Sequence, residues 1–204
     1  MTQIHLAPAQ AWTFARLNGL ITGLGIQPWV VTHIGAHHGE EVPVYRQCGF
    51  HHIRLVEPDP RSVQILRENL GAAPDVTIIA AAAAEKPGTV RLHYAERTVW
   101  SGLTPHPSAD GDGVAVTAMT MAELQGEANV LVLDTQGSEL DLLRHAVFTM
   151  LDVVIVETTR RPGDGAAYFD EAVAYMDSHN WVAAEEWIHD GSGYTDTVFT
   201  RRPR

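Results

Sequence analysis

Short apolar, β-branched runs alternate with helix-patterned stretches along most of the chain, and this alternation constrains the fold more than any single residue does. The runs at 29–34, 52–56, 76–81, 129–133 and 151–156 read as strands. The first of them, 29–34, is short, β-branched and apolar, the pattern of a strand buried on both faces. Between and around them, 9–24, 40–47, 61–70, 138–146 and 169–179 carry helical spacing or helix-end signals. Pro43 fits the second of these helices only if it falls in the first turn, where a missing N–H costs nothing. Strand-helix alternation predicts an α/β fold with a mostly parallel sheet and helices on both faces.

Two departures from simple alternation are expected. From 87 to 124 the pattern is irregular, with strands at 89–94 and 113–117, a loop rich in Gly, Pro and Asp, and a short helix. At the end, strands at 181–187 and 194–200 are separated by a turn over 189–193. A parallel crossover needs a dozen or more residues, so this last pair must be an antiparallel hairpin. No repeat or low-complexity linker divides the chain. A single domain over 1–204 is expected, with the helix in 1–25 as its cap or as part of an interface between copies.

The length of 204 residues suits one domain with a sizeable core. A formal net charge of −11 argues against loose electrostatic binding to nucleic acid or to an anionic membrane. Lys86 is the sole lysine, and Cys48 the sole cysteine, so no internal disulfide forms. No apolar run reaches the ~20 residues of a membrane span, and the first residues do not read as a secretory signal. A cytoplasmic location is the expectation.

Gly35-Ala36-His37-His38-Gly39-Glu40 joins the first strand to its helix. In open α/β sheets ligands bind beyond the carboxyl ends of the strands. Glycine lets such a loop turn tightly and lets a ligand approach. The spacing is G-x-x-x-G, not the G-x-G-x-x-G of dinucleotide binders, which weakens a nicotinamide-cofactor reading. Glu57 ends the second strand, where a carboxylate can accept hydrogen bonds from ribose hydroxyls. Loop and carboxylate together point to a nucleoside.

Gly35-Ala36-His37-His38-Gly39, then Val56-Glu57-Pro58-Asp59-Pro60, then Leu133-Asp134-Thr135-Gln136-Gly137-Ser138-Glu139 resemble the FkbM-type methyltransferases. The resemblance runs from about Trp29 to Glu157. It implies a Rossmann-like class I methyltransferase sheet and S-adenosylmethionine as cofactor. It implies that Gly35, Ala36, His37 and Gly39 hold the methionine part, that Glu57 with Pro58 holds the ribose, and that Ala81 or Ala82 flanks the adenine. Ser101, in the loop that follows, is a further candidate. The sequence departs from the family pattern at four places: His33 for Asp, His37 for Asn, Val132 for Lys and Gln136 for Glu. The family also implies O-methylation of a sugar or other small hydroxylated metabolite.

Transfer to a hydroxyl needs alignment and a base to take the proton. Asp134 and Glu157, at the ends of neighbouring strands, are the candidate catalytic pair, with Asp134 also within reach of the cofactor. Their oxygens would suit magnesium better than zinc, whereas no complete histidine metal site is expected from His33, His37, His38, His51 and His52. Glu139 reads as a first-turn helix residue favoured by the helix dipole. Arg160 and Arg161 could hold an anionic group, and Trp100 could stack on a ring. The competing readings are an inactive nucleoside-binding partner module, an N-methyltransferase acting on a small amine and, last, a nicotinamide oxidoreductase.

Overall fold

A computed structural model describes residues 8–94, 101–103, 113–161, 167–189 and 193–202. Trp100, the Gly-, Pro- and Asp-rich loop and residues 162–166 lie outside these. The elements in chain order are α1 (Pro8–Leu24), β1 (Val30–Ile34), α2 (Val42–Cys48), β2 (His52–Val56), α3 (Pro60–Leu70) and β3 (Val76–Ile79). Then come β4 (Ala82–Ala84), β5 (Gly88–Leu92), β6 (Val114–Thr120), α4 (Met121–Gln125), β7 (Val130–Leu133) and α5 (Glu139–His145). A 3-10 turn (Phe148–Met150), β8 (Val153–Thr159), β9 (Ala167–Tyr168), α6 (Phe169–Ser178), β10 (Trp181–Ile188) and β11 (Tyr194–Arg201) complete the chain.

The main sheet runs in the order β10-β11-β8-β7-β1-β2-β3, with β9 paired to β8. From β3 to β8 the strands are parallel. The final hairpin forms as expected, and its second strand, β11, is the one that enters the sheet, antiparallel to both β8 and β10. Residue alternation sends the two faces of each central strand into separate cores. Ile34, Val56, Leu133 and Val156 pack with Met121, Leu142 and Met176 on one side. Val31, Leu55, Val132 and Ile155 pack with Leu17, Leu20, Val42, Tyr45 and Leu66 on the other. Trp181 and Trp187 are core residues, 1% and 2% exposed.

Asn129 bolts the amino-terminal edge of the sheet. Its side chain accepts from the Trp29 and Val30 N–H groups and donates to the Gln27 carbonyl and to Asp152.

Several boundaries differ from the expected ones for physical reasons. The third strand stops at Ile79, and Ala82–Ala84 leaves to form a three-stranded sheet, β4-β6-β5, beside the main one. The second helix begins at Val42, so Pro43 lies in its first turn, as the missing N–H requires. The fifth buried strand does not stop before Glu157. It continues to Thr159 because β11 pairs with it out to Tyr194, which sets Asp196 directly beside Glu157.

Candidate active site

The carboxyl ends of β1, β2 and β7 open onto a cleft of about 650 Å³, counting its solvent-open part. Its lining includes Gly35, His37, Glu57, Pro58, Ala81, Ala82, Ser101 and Asp134 from the expected set. Ala36 and Gly39 do not line it. Ala36 is buried in the core, 1% exposed. A side chain at Gly39 would press on Leu66 and Leu70, so that glycine serves helix packing rather than ligand approach. Gly35 has a different role again. Its φ is +88°, and a Cβ there would lie 1.6 Å from the Asp134 carbonyl oxygen. It lets the tip of β1 pass close to the tip of β7.

Glu57 is 6% exposed. One carboxylate oxygen accepts the His37 N–H at 2.8 Å and the other accepts the Asp59 N–H at 2.8 Å. Each oxygen therefore keeps a lone pair for a further donor. Burial pushes its carboxyl up to about 7, against the pull of those two N–H groups. His37 holds a left-handed φ of +44°, which aims its N–H at Glu57. Its ring bonds Glu40 at 2.7 Å and stacks on His38 at 3.6 Å between centroids. His37, His38 and Glu40 bring ligand atoms within 4.8 Å of one another, with the His37 ring already bonded to Glu40.

Ala81, Ala82 and Ala83 give a smooth floor beside Glu57. Ser101 closes over it. Arg61 donates to the Ser101 hydroxyl at 3.1 Å, pairs with Asp59 at 2.6 Å, and lies 4.0 Å over the Tyr94 ring. This arginine was not among the expected site residues. Its sequence signal was its place in the first turn of α3, directly after the Glu57-Pro58-Asp59-Pro60 turn.

Asp134 and Glu157 come together. Gln136 bridges them, its amide donating to Asp134 at 2.9 Å and to Glu157 at 3.2 Å. Glu157 is 7% exposed. Burial first, and the neighbouring Asp134 charge second, hold its carboxyl well above the ordinary range, and burial raises Asp134 as well. A half-buried carboxyl and a buried one this close share a proton rather than ionise together. Asp134 does not cap α5; Ser138 takes the N-cap position. Gln136 has no counterpart among the expected site residues. It holds a left-handed φ of +58° and supplies two N–H donors where the family pattern has a third carboxylate.

Glu139 does more than face the helix dipole. Its carboxylate accepts the Thr135 and Gly137 N–H groups at 2.7 and 3.0 Å and fixes the loop after β7. Asp134, Glu139 and Glu157 each bring an oxygen within 4.8 Å of the others. They do not fit magnesium. Glu139 is committed to backbone donors, and the Gln136 amide N–H groups hold the space between the other two. Magnesium asks instead for an octahedron of oxygens.

Arg160 is tied to Glu186 at 2.7 Å and stacks 3.7 Å over Phe169, which sets it in the fold rather than over the cleft. His52 bonds Thr77, and His51 packs on Trp29, away from the cleft.

Glu157→Gln is expected to flatten the dependence of stability on pH. A carboxyl raised in the folded state stabilises fully below its unfolded value, and that contribution is lost as pH rises through the folded value. Wild-type Tm should therefore fall from mildly acidic to alkaline pH. The glutamine variant should lose the part of that slope above about pH 7, where the raised carboxyls of Glu57 and Asp134 have already ionised, and melt higher at alkaline pH. Parallel slopes in the two proteins would mean that Glu157 ionises normally.

The domain model described as "Methyltransferase FkbM domain" matches residues 33–182. None of the curated proteins compared matches the sequence significantly. Among solved structures, the FkbM methyltransferase from Methylobacillus flagellatus is similar at a TM-score of 0.59 and 15% identity, over 85% of this chain and 43% of that one. The magnesium protoporphyrin IX methyltransferase of Synechocystis, solved with bound S-adenosylmethionine, is similar at 0.58 and 11% identity, over 95% and 79%. An RNA methyltransferase candidate from Pyrococcus horikoshii is similar at 0.57 and 15% identity, over 93% and 82%. These identities speak for the shared fold, whereas the domain match covers most of this chain. The chain belongs to the FkbM methyltransferase family and is an S-adenosylmethionine-dependent methyltransferase.

Proposed function

We propose that the chain methylates a hydroxyl of a small metabolite, with the acceptor meeting the methyl donor at Asp134. The observation that carries this reading is the position of Asp134, which lines the same cleft as Glu57 and is also bridged to the buried Glu157 by Gln136. S-adenosylmethionine supplies a methyl group on a good sulfur leaving group. Glu57 binds the ribose hydroxyls through its spare lone pairs, and Ala81–Ala83 receive the base. The loop over 35–39 turns beneath the amino-acid part, with the His37 N–H holding Glu57 in place. Asp134 orients the acceptor hydroxyl and takes its proton as the carbon–oxygen bond forms and the sulfur–carbon bond breaks. Glu157 keeps the shared proton beside it, and Gln136 holds both carboxylates in register.

RNA fits this site less well. Asp134, Glu157 and nearby Asp196 would repel a phosphate backbone, and the net charge of −11 adds to that. No described helix is long and apolar enough to cross a membrane.

The test of the cofactor site is calorimetric titration of S-adenosylmethionine into wild type, Glu57→Gln and Glu57→Ala. Either substitution should weaken binding by about tenfold or more, a loss of about 1.4 kcal/mol. Ribose hydroxyls donate best to the ionised carboxylate. Wild-type affinity should therefore decline as pH drops below about 7, and Glu57→Gln should lose that dependence. Unchanged affinity in both variants would remove Glu57 from the site, and no binding to wild type would defeat the reading as a whole.

A further inference from the structure

Glu57 is carried by β2, but part of the cleft wall lies outside the main sheet. Ser101, Gly102 and Leu103 line it there, beside Leu92 and the three alanines. Gly102 exchanges two backbone hydrogen bonds with His93, at 2.9 and 3.2 Å, in an isolated bridge just past the end of β5. Leu103 packs on the small cluster of Ala82, Leu92 and Val116. A third tie to this segment is the Arg61 side chain, which reaches the Ser101 hydroxyl from the first turn of α3.

The guanidinium is fixed from two sides before it meets Ser101. Its Nε donates to both Asp59 oxygens at 3.1 and 3.2 Å, Nη2 donates to one of them at 2.6 Å, and the group lies 4.0 Å over the Tyr94 ring. Nη2 has a second hydrogen, and this one goes to Ser101 at 3.1 Å. Asp59 is itself held in place. It is 1% exposed, caps α3 by accepting the Arg61 N–H at 2.9 Å, and donates its own N–H to Glu57 at 2.8 Å. A continuous chain of hydrogen bonds therefore runs from Glu57 through Asp59 and Arg61 to Ser101. It joins a wall built on the main sheet to a wall built on the end of β5. The pair with Asp59 would secure α3 without touching Ser101, so the extra bond serves the cleft wall. Arg61 is not part of the cleft lining.

We propose that Arg61 is a positioning residue for the nucleoside end of S-adenosylmethionine, holding the 101–103 segment over the base while Glu57 holds the ribose. This rests on the reading of the cleft as the cofactor site around Glu57. Arg61 lies outside the lining, so its effect falls on affinity and not on the transfer step. That effect reaches every ligand that carries the adenosine part and is blind to the amino-acid part. Lysine cannot replace it, because one ammonium cannot meet both Asp59 oxygens, stack on Tyr94 and reach Ser101 together.

The test is calorimetric titration of S-adenosylhomocysteine and of methylthioadenosine into wild type, Arg61→Gln, Arg61→Lys, Ser101→Ala and the Arg61→Gln, Ser101→Ala double variant. Arg61→Gln should weaken both ligands alike by about tenfold, a loss of about 1.4 kcal/mol. Arg61→Lys should not restore the affinity. Ser101→Ala should also weaken both, and the double variant should bind no worse than Arg61→Gln, because both substitutions remove one and the same hydrogen bond. A residue that merely secured α3 would lower Tm without this dependence on Ser101. Wild-type affinity in Arg61→Gln, full rescue by lysine, losses that multiply in the double variant, or a loss confined to S-adenosylhomocysteine would each overturn the proposal. If Arg61→Gln does not fold, Ser101→Ala decides, by weakening both ligands or by binding them as wild type does. Glu57→Gln, titrated alongside, separates the two readings. Weakened binding there with full affinity in Arg61→Gln leaves the cofactor site standing and removes Arg61 from it. No binding to wild type would defeat the cofactor-site reading, and this proposal with it.

Discussion

Gly35→Ala is expected to give protein that neither accumulates in soluble form nor binds S-adenosylmethionine. Two costs fall on one atom. The left-handed backbone at this position alone disfavours an L side chain by about 1–2 kcal/mol. The larger cost is contact with the Asp134 carbonyl, 1.6 Å from the new methyl. No side-chain rotation relieves a clash with backbone. Either β1 and β7 part at their tips, or the Asp134 segment swings away, and both open the central pair of the sheet. The hydrogen bond from the Asp134 N–H to the Ile34 carbonyl would go first. Gly39→Ala is the useful control. Its glycine also has a positive φ, but the contacts are the ends of Leu66 and Leu70, which can shift. Solubility and thermal melting of the two variants decide the matter; a Gly35→Ala protein that folds and binds cofactor like wild type would refute the close approach.

Asp134→Asn should leave the protein folded and cofactor-binding but lower kcat by roughly 10²–10⁴-fold, the usual contribution of a positioned base. The amide keeps the shape and can still meet Gln136 after a flip, but it cannot take a proton. The substitution also removes the charge that raises Glu157, so Glu157 should titrate closer to the ordinary carboxylate range in this variant. Single-turnover rates, with cofactor affinity measured alongside, separate a lost base from a lost binding group. A rate within a factor of a few of wild type would assign the proton to another acceptor or to water.

Much of this was legible in the sequence because it rested on local rules. Strand-helix alternation and the short final turn are properties of contiguous residues, and they specified the sheet and its hairpin. Glu57 was readable for the same reason, since a carboxylate at a strand end projects over the cleft wherever the strand goes. The role of Gly35 was not, because its reason lies 99 positions away, at the carbonyl of Asp134. Nor was the Tyr45 hydroxyl beside His33, which depends on α2 folding back over β1, nor Asp196 beside Glu157, which depends on β11 entering the sheet. The extension of β8 past Glu157 has the same origin. A strand's length is set by its partner as much as by its own residues. Gln136 was visible as a departure from the family pattern, but not as a clamp, because the clamp needs both carboxylates to be near.

The Asn129 bolt has a consequence for how the chain assembles. It joins Trp29 to a residue 100 positions later. β1 can pair with β2 soon after both exist, whereas its other edge waits for β7. Closing so long a loop is entropically costly and slows folding relative to local pairing. During that interval β1 presents an unpaired, apolar edge, which is the kind of surface that draws other chains. The same side chain that locks the finished sheet therefore marks the point before which an emerging chain is most in need of a chaperone.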